Sequence, residues 1–233
     1  MLIYGKNPVH EALTAGRRVY EVFTSLDGDK TLDLARKKGV KVTQLDKRTM
    51  DQRFSPHHQG IGANVEDYEM HPMEPFFEEK GRKLFLMLDS ITDPHNLGAI
   101  LRSAEAFGVT GVILPKDRSA SINPTVVKVS AGAIEHVRLI EVTNLHRTML
   151  EMKKQNIWVV GLDLATENAL DDIFADTDLC LVLGSEGKGM RPLIRKTCDT
   201  LARIPMTGEV NSLNVSVSAG VALYDVVSRR NRL

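Results

Sequence analysis

Two stretches near the C-terminus carry the residue types that hold small ligands. They are Leu183-Gly184-Ser185-Glu186-Gly187-Lys188-Gly189-Met190, and Ile204-Pro205-Met206 running on to Asn211-Ser212-Leu213-Asn214-Val215-Ser216. Each follows an apolar run that reads as a strand, and backbone amides and carbonyls freed at parallel strand ends can grip a ligand at one sheet edge. Gly184 and Gly187 would permit a positive φ and a close ligand approach that a Cβ would obstruct. Ser212, Ser216, Ala219 and Gly220 recur at helical spacing as a small-residue stripe, which a ligand or a neighbouring backbone can lie against. Tight helix packing would produce the same stripe.

A third stretch, Asp93-Pro94-His95-Asn96-Leu97-Gly98-Ala99-Ile100-Leu101-Arg102-Ser103-Ala104, follows the apolar run Leu84 to Leu88. It lacks the three-glycine turn that seats a pyrophosphate on a helix N-terminus, so a dinucleotide-dependent dehydrogenase does not fit. Asn96 reads as the N-cap of the helix that begins there, and Arg102 as a surface partner of Glu105.

The elements that must position these residues form a rhythm of apolar strands and helices. Strands are expected at Leu84 to Leu88, Gly111 to Leu114, Val137 to Ile140, Ile157 to Gly161, Leu179 to Leu183 and Leu201 to Ile204. Helices are expected over about 96–107, 126–131, 145–155 and 214–228. Continuous apolar strands separated by helices predict a parallel sheet covered on both faces. Upstream, a helix from Asn7-Pro8, a strand Val19 to Phe23, a helix Leu32 to Lys38 and strands at 40–42 and 61–65 predict a small α/β module. The polar run 50–62, with Pro56, His57, His58 and Gln59, reads as an exposed loop of the kind that carries recognition, or as plain flexible chain. An acidic, proline-containing stretch over 69–82 reads as a linker, giving expected domains 1–68 and 83–233.

The 233 residues carry 30 basic and 30 acidic side chains. The balance hides an asymmetry, since residues 1–58 hold eleven Lys and Arg against seven acids, which leaves the head mildly basic. Cys180 and Cys198 are too few for a disulfide framework, and neither Cys nor His recurs at metal-ligand spacing, so no metal is expected and a reducing cytoplasm fits. Cys180, inside an apolar run, reads as a core residue. No export segment or membrane-spanning run is evident.

The Asp93–Ala104 stretch, Gly184-Ser185-Glu186-Gly187, and Ile204-Pro205-Met206 with Ser212-Leu213-Asn214-Val215-Ser216 together resemble the three motifs of the SpoU (TrmH-like) RNA 2'-O-ribose methyltransferases of the SPOUT superfamily. Pro115-Lys116-Asp117-Arg118-Ser119 and Ile3-Tyr4-Gly5 are similar to the bacterial subgroup that methylates a guanosine of 23S ribosomal RNA. The resemblance implies a parallel-sheet domain whose C-terminal segment forms a deep trefoil knot, preceded by a small α/β, ribosomal-protein-like RNA-binding domain. It also implies a homodimer through the catalytic domain.

By the same resemblance, Leu183, Gly184, Gly187, Ile204, Met206 and Leu213 surround S-adenosylmethionine, while Asn96, Arg102, Glu186, Ser212 and Asn214 make the catalytic set. Glu186 also reads as a solvated loop acid. Lys188, Arg191, His57 and His58 are the candidate RNA contacts. The function so implied is methyl transfer to a ribose 2'-hydroxyl of 23S ribosomal RNA. The alternatives are another RNA nucleotide, including one in tRNA, or a non-catalytic RNA-binding assembly factor.

Overall fold

The computed structural model describes residues 1–173, 175–209 and 212–232; Asn211 of the C-terminal ligand stretch lies outside them. Contacts divide the chain into two units, Met1–Glu69 with Ile122–His136, and Met70–Ser121 with Val137–Leu233.

The first unit holds strands β1 (Leu2–Tyr4), β2 (Val19–Thr24), β3 (Lys41–Gln44) and β4 (Ile61–Val65) in the order β1-β4-β2-β3. β4 is antiparallel to both neighbours and β2–β3 is parallel. Helices α1 (Lys6–Thr14), α2 (Lys30–Lys37) and α3 (Lys47–Arg53) accompany the sheet, and their apolar residues Val9, Leu13, Leu32 and Met50 are fully or nearly fully buried with Ile3, Val22 and Ile61. Aspartates start two of the helices: Asp29 accepts from Thr31 N and Asp46 from Thr49 N, satisfying otherwise free amides. The expected loop over 50–62 therefore begins inside α3, because the Asp46 cap and the buried Met50 outweigh its polar composition.

Residues 122–136 group with this unit although in sequence they follow the strand Gly111–Pro115 of the second unit. They carry a short helix, α6 (Pro124–Val129), capped by Asn123, and they are tied in by a buried ion pair of Glu135 with Arg17 at 2.9 Å. Tyr68 donates to the same carboxylate, and the Arg17 guanidinium lies 3.4 Å from the Tyr68 ring centre.

The second unit is built on β5 (Leu84–Asp89), β6 (Gly111–Pro115), β7 (Leu139–Val142), β8 (Trp158–Leu162), β9 (Leu179–Gly184) and β10 (Thr200–Ala202). All pair in parallel, in the order β10-β8-β9-β5-β6-β7. Helices α5 (Pro94–Ala106), α7 (Leu145–Lys154), α8 (Pro192–Thr197) and α9 (Val215–Arg230) cover it. Every residue of β5 is buried, as a strand covered on both faces requires. The 69–82 stretch is ordered here: His71 bridges to the β7 edge, α4 (Glu74–Phe77) forms, and Met73 and Phe76 enter the core while Glu74 and Glu78 stay outside. Two apolar anchors outweigh the acidic composition that suggests a linker.

The C-terminal end of α9 is fastened by guanidinium groups. Arg230 donates to the carbonyls of Ala175, Lys83 and Thr177, and Arg229 to those of Leu170 and Ile173. Charged donors on several carbonyls are among the stronger hydrogen bonds a surface can offer. Arg230→Ala is expected to cost about 2–3 kcal/mol in urea unfolding, whereas Arg232→Ala, whose guanidinium reaches only the Ser228 hydroxyl among the described residues, should stay within about 0.5 kcal/mol.

Candidate active site

The C-terminal ends of β5, β8 and β9 lie on one edge of the sheet, and β5 and β9 end in register with Asp89 opposite Gly184. Two loops start there, 90–93 leading to α5 and 185–191 leading to α8. Asp89 is wholly buried, and its carboxylate accepts Arg191 N at 2.8 Å and Arg191 Nε at 2.7 Å. One buried charge thus clasps the end of the second loop to the root of the first.

The loop after β9 closes on itself. Ser185 N donates to Gly189 O and Gly189 N to Ser185 O, making a tight bridge with Gly187 and Gly189 at positive φ. Gly184 behaves differently from expectation. Its φ is not positive, and an added Cβ would stand 2.0 Å from the Gly189 carbonyl carbon and 2.1 Å from Met190 N. The close approach it permits is to its own loop.

Asp93, not Asn96, caps α5, accepting from His95 N at 3.0 Å. Asn96 is therefore released from capping, and it is buried with its Oδ1 accepting from Asn214 Nδ2 at 2.9 Å. The same Nδ2 donates to Glu186 Oε1 at 2.5 Å, and Val215 N reaches that oxygen at 3.4 Å. Asn214 Oδ1 meanwhile caps α9, accepting from Ser216 N at 2.9 Å and from the Ser216 hydroxyl at 2.5 Å. The side chain of Asn214 is oriented at both ends, which determines which atom is oxygen and which is nitrogen. Asn96 from the first turn of α5, Glu186 from the loop after β9 and Asn214 from the start of α9 form one cluster.

Beside this cluster lies a cavity of about 540 Å³, in the range that accepts a nucleoside-sized ligand. Its lining includes Leu183, Gly184, Gly187, Ile204, Met206 and Leu213, with Ser212 and Lys188. Met206 and Leu213 are exposed apolar groups with surface left to cover. The sequence reading missed the loop after β8: Asp163, Leu164 and Ala165 also line the cavity. Asp163 is held by Arg195 Nε at 2.6 Å and Ala165 N at 2.8 Å, which fixes that loop. The signal was available, since Leu162-Asp163-Leu164 follows an apolar strand just as the other two loops do.

Arg102 is exposed on α5 and forms no hydrogen bond or ion pair among the described residues, so its pairing with Glu105 is absent there. The small-residue stripe divides: Ser212 lines the cavity and Ser216 serves the cap, but Ala219 is buried and Gly220 faces Ser103 of α5 at ordinary contact distance. The last two residues do helix packing. Lys188 is exposed, whereas Arg191 is committed to Asp89. In the first unit His58 is buried, with Nε2 3.0 Å from Asp51 Oδ1 and Nδ1 accepting from Gly60 N at 2.8 Å. Both its nitrogens are occupied, so the expectation that the histidine pair meets RNA bases narrows to the exposed His57. Cys180 is fully buried, and burial pushes the Cys198 thiol up to about 12, so neither is poised as a nucleophile.

Among the described residues no three His, Cys, Asp or Glu side chains group to hold a metal ion, and no helix is long and apolar enough to cross a membrane. Comparison with known proteins gives consistent matches. Residues 83–224 match the SpoU rRNA Methylase family, and residues 2–71 match the family described as RNA 2'-O ribose methyltransferase substrate binding. YacO of Bacillus subtilis (strain 168), described as a TrmH family tRNA/rRNA methyltransferase, is 40% identical over 98% of this chain and 96% of its own. The SpoU methyltransferase AviRb of Streptomyces viridochromogenes, in complex with AdoMet, shares the fold with a TM-score of 0.86 at 24% identity, over 100% of this chain and 91% of its own. A TrmH-family protein of Porphyromonas gingivalis, with 27% identity, covers 98% of this chain and 89% of its own with a TM-score of 0.78.

The Asp89–Arg191 clasp gives a direct test. Arg191→Met takes the counter-charge from a fully buried carboxylate, leaving it the Arg191 amide and the Ser90 hydroxyl, and should cost about 3 kcal/mol in chemical denaturation. Pairing it with Asp89→Asn should restore a large part of that loss, and a double variant no more stable than Arg191→Met alone would refute the clasp.

Proposed function

This chain belongs to the SpoU rRNA methylase family and is an S-adenosylmethionine-dependent RNA methyltransferase; we propose that it methylates a ribose 2'-hydroxyl, that of a guanosine in 23S ribosomal RNA, in the cytoplasm. The observation that carries this reading is the meeting of Asn96, Glu186 and Asn214 beside the strand-end cavity. A match over residues 2–71 to a substrate-binding family of ribose methyltransferases supports both the 2'-oxygen and an RNA-capturing head.

The cavity fits the methyl donor: it has the volume, an apolar wall from Leu164, Leu183, Ile204, Met206 and Leu213, and a polar lining from Ser185, Glu186 and Ser212, with Glu186 tied through Asn214 to Asn96 behind it. S-adenosylmethionine, when bound, supplies an electrophilic methyl on a sulfonium. The protein's part is positioning, which can account for much of the acceleration when the reacting atoms are held in line. Asn96 orients the ribose hydroxyl. Arg102, always charged and unpaired among the described residues, binds the adjacent phosphate and steadies negative charge developing on the attacking oxygen. Glu186 is already engaged as an acceptor for Asn214, which makes it an organiser of the pocket; the hydroxyl proton goes to water or to a substrate phosphate.

The motif match further supports a trefoil knot in which the segment carrying Met206 and Leu213 passes through a loop of the chain. A homodimer through the catalytic domain fits the outer face of α9, where Val217, Val221 and Tyr224 form an exposed apolar stripe at helical spacing.

Incubating the protein with methyl-labelled S-adenosylmethionine and undermethylated ribosomal RNA should leave label in alkali-resistant dinucleotides, because a methylated 2'-oxygen cannot assist cleavage. Label confined to alkali-sensitive products would overturn the ribose assignment, and no label would favour a binding factor. Arg102→Ala should lower turnover by about a hundredfold or more while cofactor affinity, read by calorimetry, stays close to wild type; equal loss of both would place Arg102 elsewhere.

A further inference from the structure

The polar loop over 55–60 is more strictly built than its composition suggests. Buried His58 is its internal post: its backbone N donates to Ser55 O, its carbonyl accepts from Ile61 N, and its ring joins Asp51 to Gly60 N. That arrangement places Gln59 in the left-handed region at φ 56, a conformation that needs local support outside glycine. The Gln59 Oε1 atom accepts from Lys128 Nζ at 2.7 Å and from Lys6 N at 3.2 Å. Lys128, from α6, lies over Gly5, where a Cβ would stand 2.5 Å from its ammonium.

Lys128 has an unusual set of neighbours. No carboxylate lies within ion-pair distance of it among the described residues, and its one hydrogen-bond partner is a neutral amide. Lys6, alongside it in the cluster, is by contrast neutralised by Asp29 at 2.7 Å. Partial burial holds the Lys128 ammonium below the usual lysine range. A half-desolvated cation with no counter-charge gains more from an incoming anion than a fully solvated one. Beside it is the Gln59 amide nitrogen, which makes no bond among the described residues, and the exposed His57 stands two residues before Gln59 in the same loop.

From this placement we propose that Lys128, Gln59 and His57 form a subsite for a single-stranded RNA segment, with a backbone phosphate on Lys128 and the Gln59 amide and a base against His57. The proposal rests on the RNA-substrate reading above and adds where the head grips the strand. A phosphate oxygen replaces Gln59 Oε1 as the acceptor for Lys128, and the amide turns its nitrogen to the ligand. Unpaired RNA offers both a phosphate and a free base face within one nucleotide step, which a duplex does not.

The test uses the full chain and an unmethylated 23S ribosomal RNA transcript, with affinity measured across a series of KCl concentrations. Each phosphate contact contributes about 0.7 to the slope of log affinity against log salt for single strands. Lys128→Met should lower that slope by about this amount, raise KM for RNA, and leave kcat at saturating RNA and S-adenosylmethionine affinity unchanged; Lys128→Arg should restore the slope. Gln59→Glu keeps Lys128 and supplies an internal counter-charge, so it should weaken RNA binding without lowering thermal stability. An unchanged slope in Lys128→Met, or RNA affinity unaltered in Gln59→Glu, would overturn the subsite while leaving the methyltransferase reading intact. Absence of salt-dependent RNA binding in the wild type would sink both.

Discussion

The register of β5 against β9 is the constraint on which the active edge depends. These are the two central strands of a six-stranded parallel sheet, and their pairing ends with Asp89 opposite Gly184. Parallel strands buried on both faces have no tolerance for a slip, because one step would turn every side chain to the other layer. The loop that carries Glu186 and the loop that leads to Asn96 both leave from this one pair. Asp89 converts the constraint into a lock: a carboxylate with no exposure is stable only with its charge and lone pairs met, and Arg191 meets them from the far end of the second loop.

Asn214 carries the constraint to the third loop. Its oxygen starts α9 and its nitrogen joins Asn96 and Glu186, so the helix cannot begin in its present place without setting the polar cluster. The stability of α9, fastened at its other end by Arg229 and Arg230, thereby supports the geometry of the site. Gly184 shows the same economy, since its missing Cβ leaves room for the Gly189–Met190 backbone that shapes the cavity wall.

Much of this was legible in the chain because fully buried strands announce themselves as unbroken apolar runs, and the loops after Leu88 and Leu183 were found that way. The motif resemblance groups Asn96, Arg102, Glu186, Ser212 and Asn214; the structure joins Asn96, Glu186 and Asn214, sets Ser212 on the cavity wall and leaves the Arg102 side chain without a partner among the described residues. What could not be read were choices settled by distant contacts. Asp93 and Asn96 are both good helix caps three residues apart, and only the position of Asn214 decides which is free. His57 and His58 are adjacent and alike in type, yet Asp51 and Gly60 draw one of them inward. Arg191 reads in the sequence as a candidate RNA contact because its partner Asp89 lies about a hundred residues away. Residues 122–136 continue the strand–helix rhythm, but Glu135 finds Arg17 and Tyr68 in the first unit.

The central claim is that one sheet edge holds the methyl donor against the Asn96–Asn214–Glu186 cluster. A crystal structure with S-adenosylhomocysteine tests it most directly. The ligand is expected between the 163–165 and 184–190 loops and Leu213, with its sulfur toward that cluster. Ordered ligand elsewhere, or a sulfur turned away from Asn96 and Asn214, would contradict it.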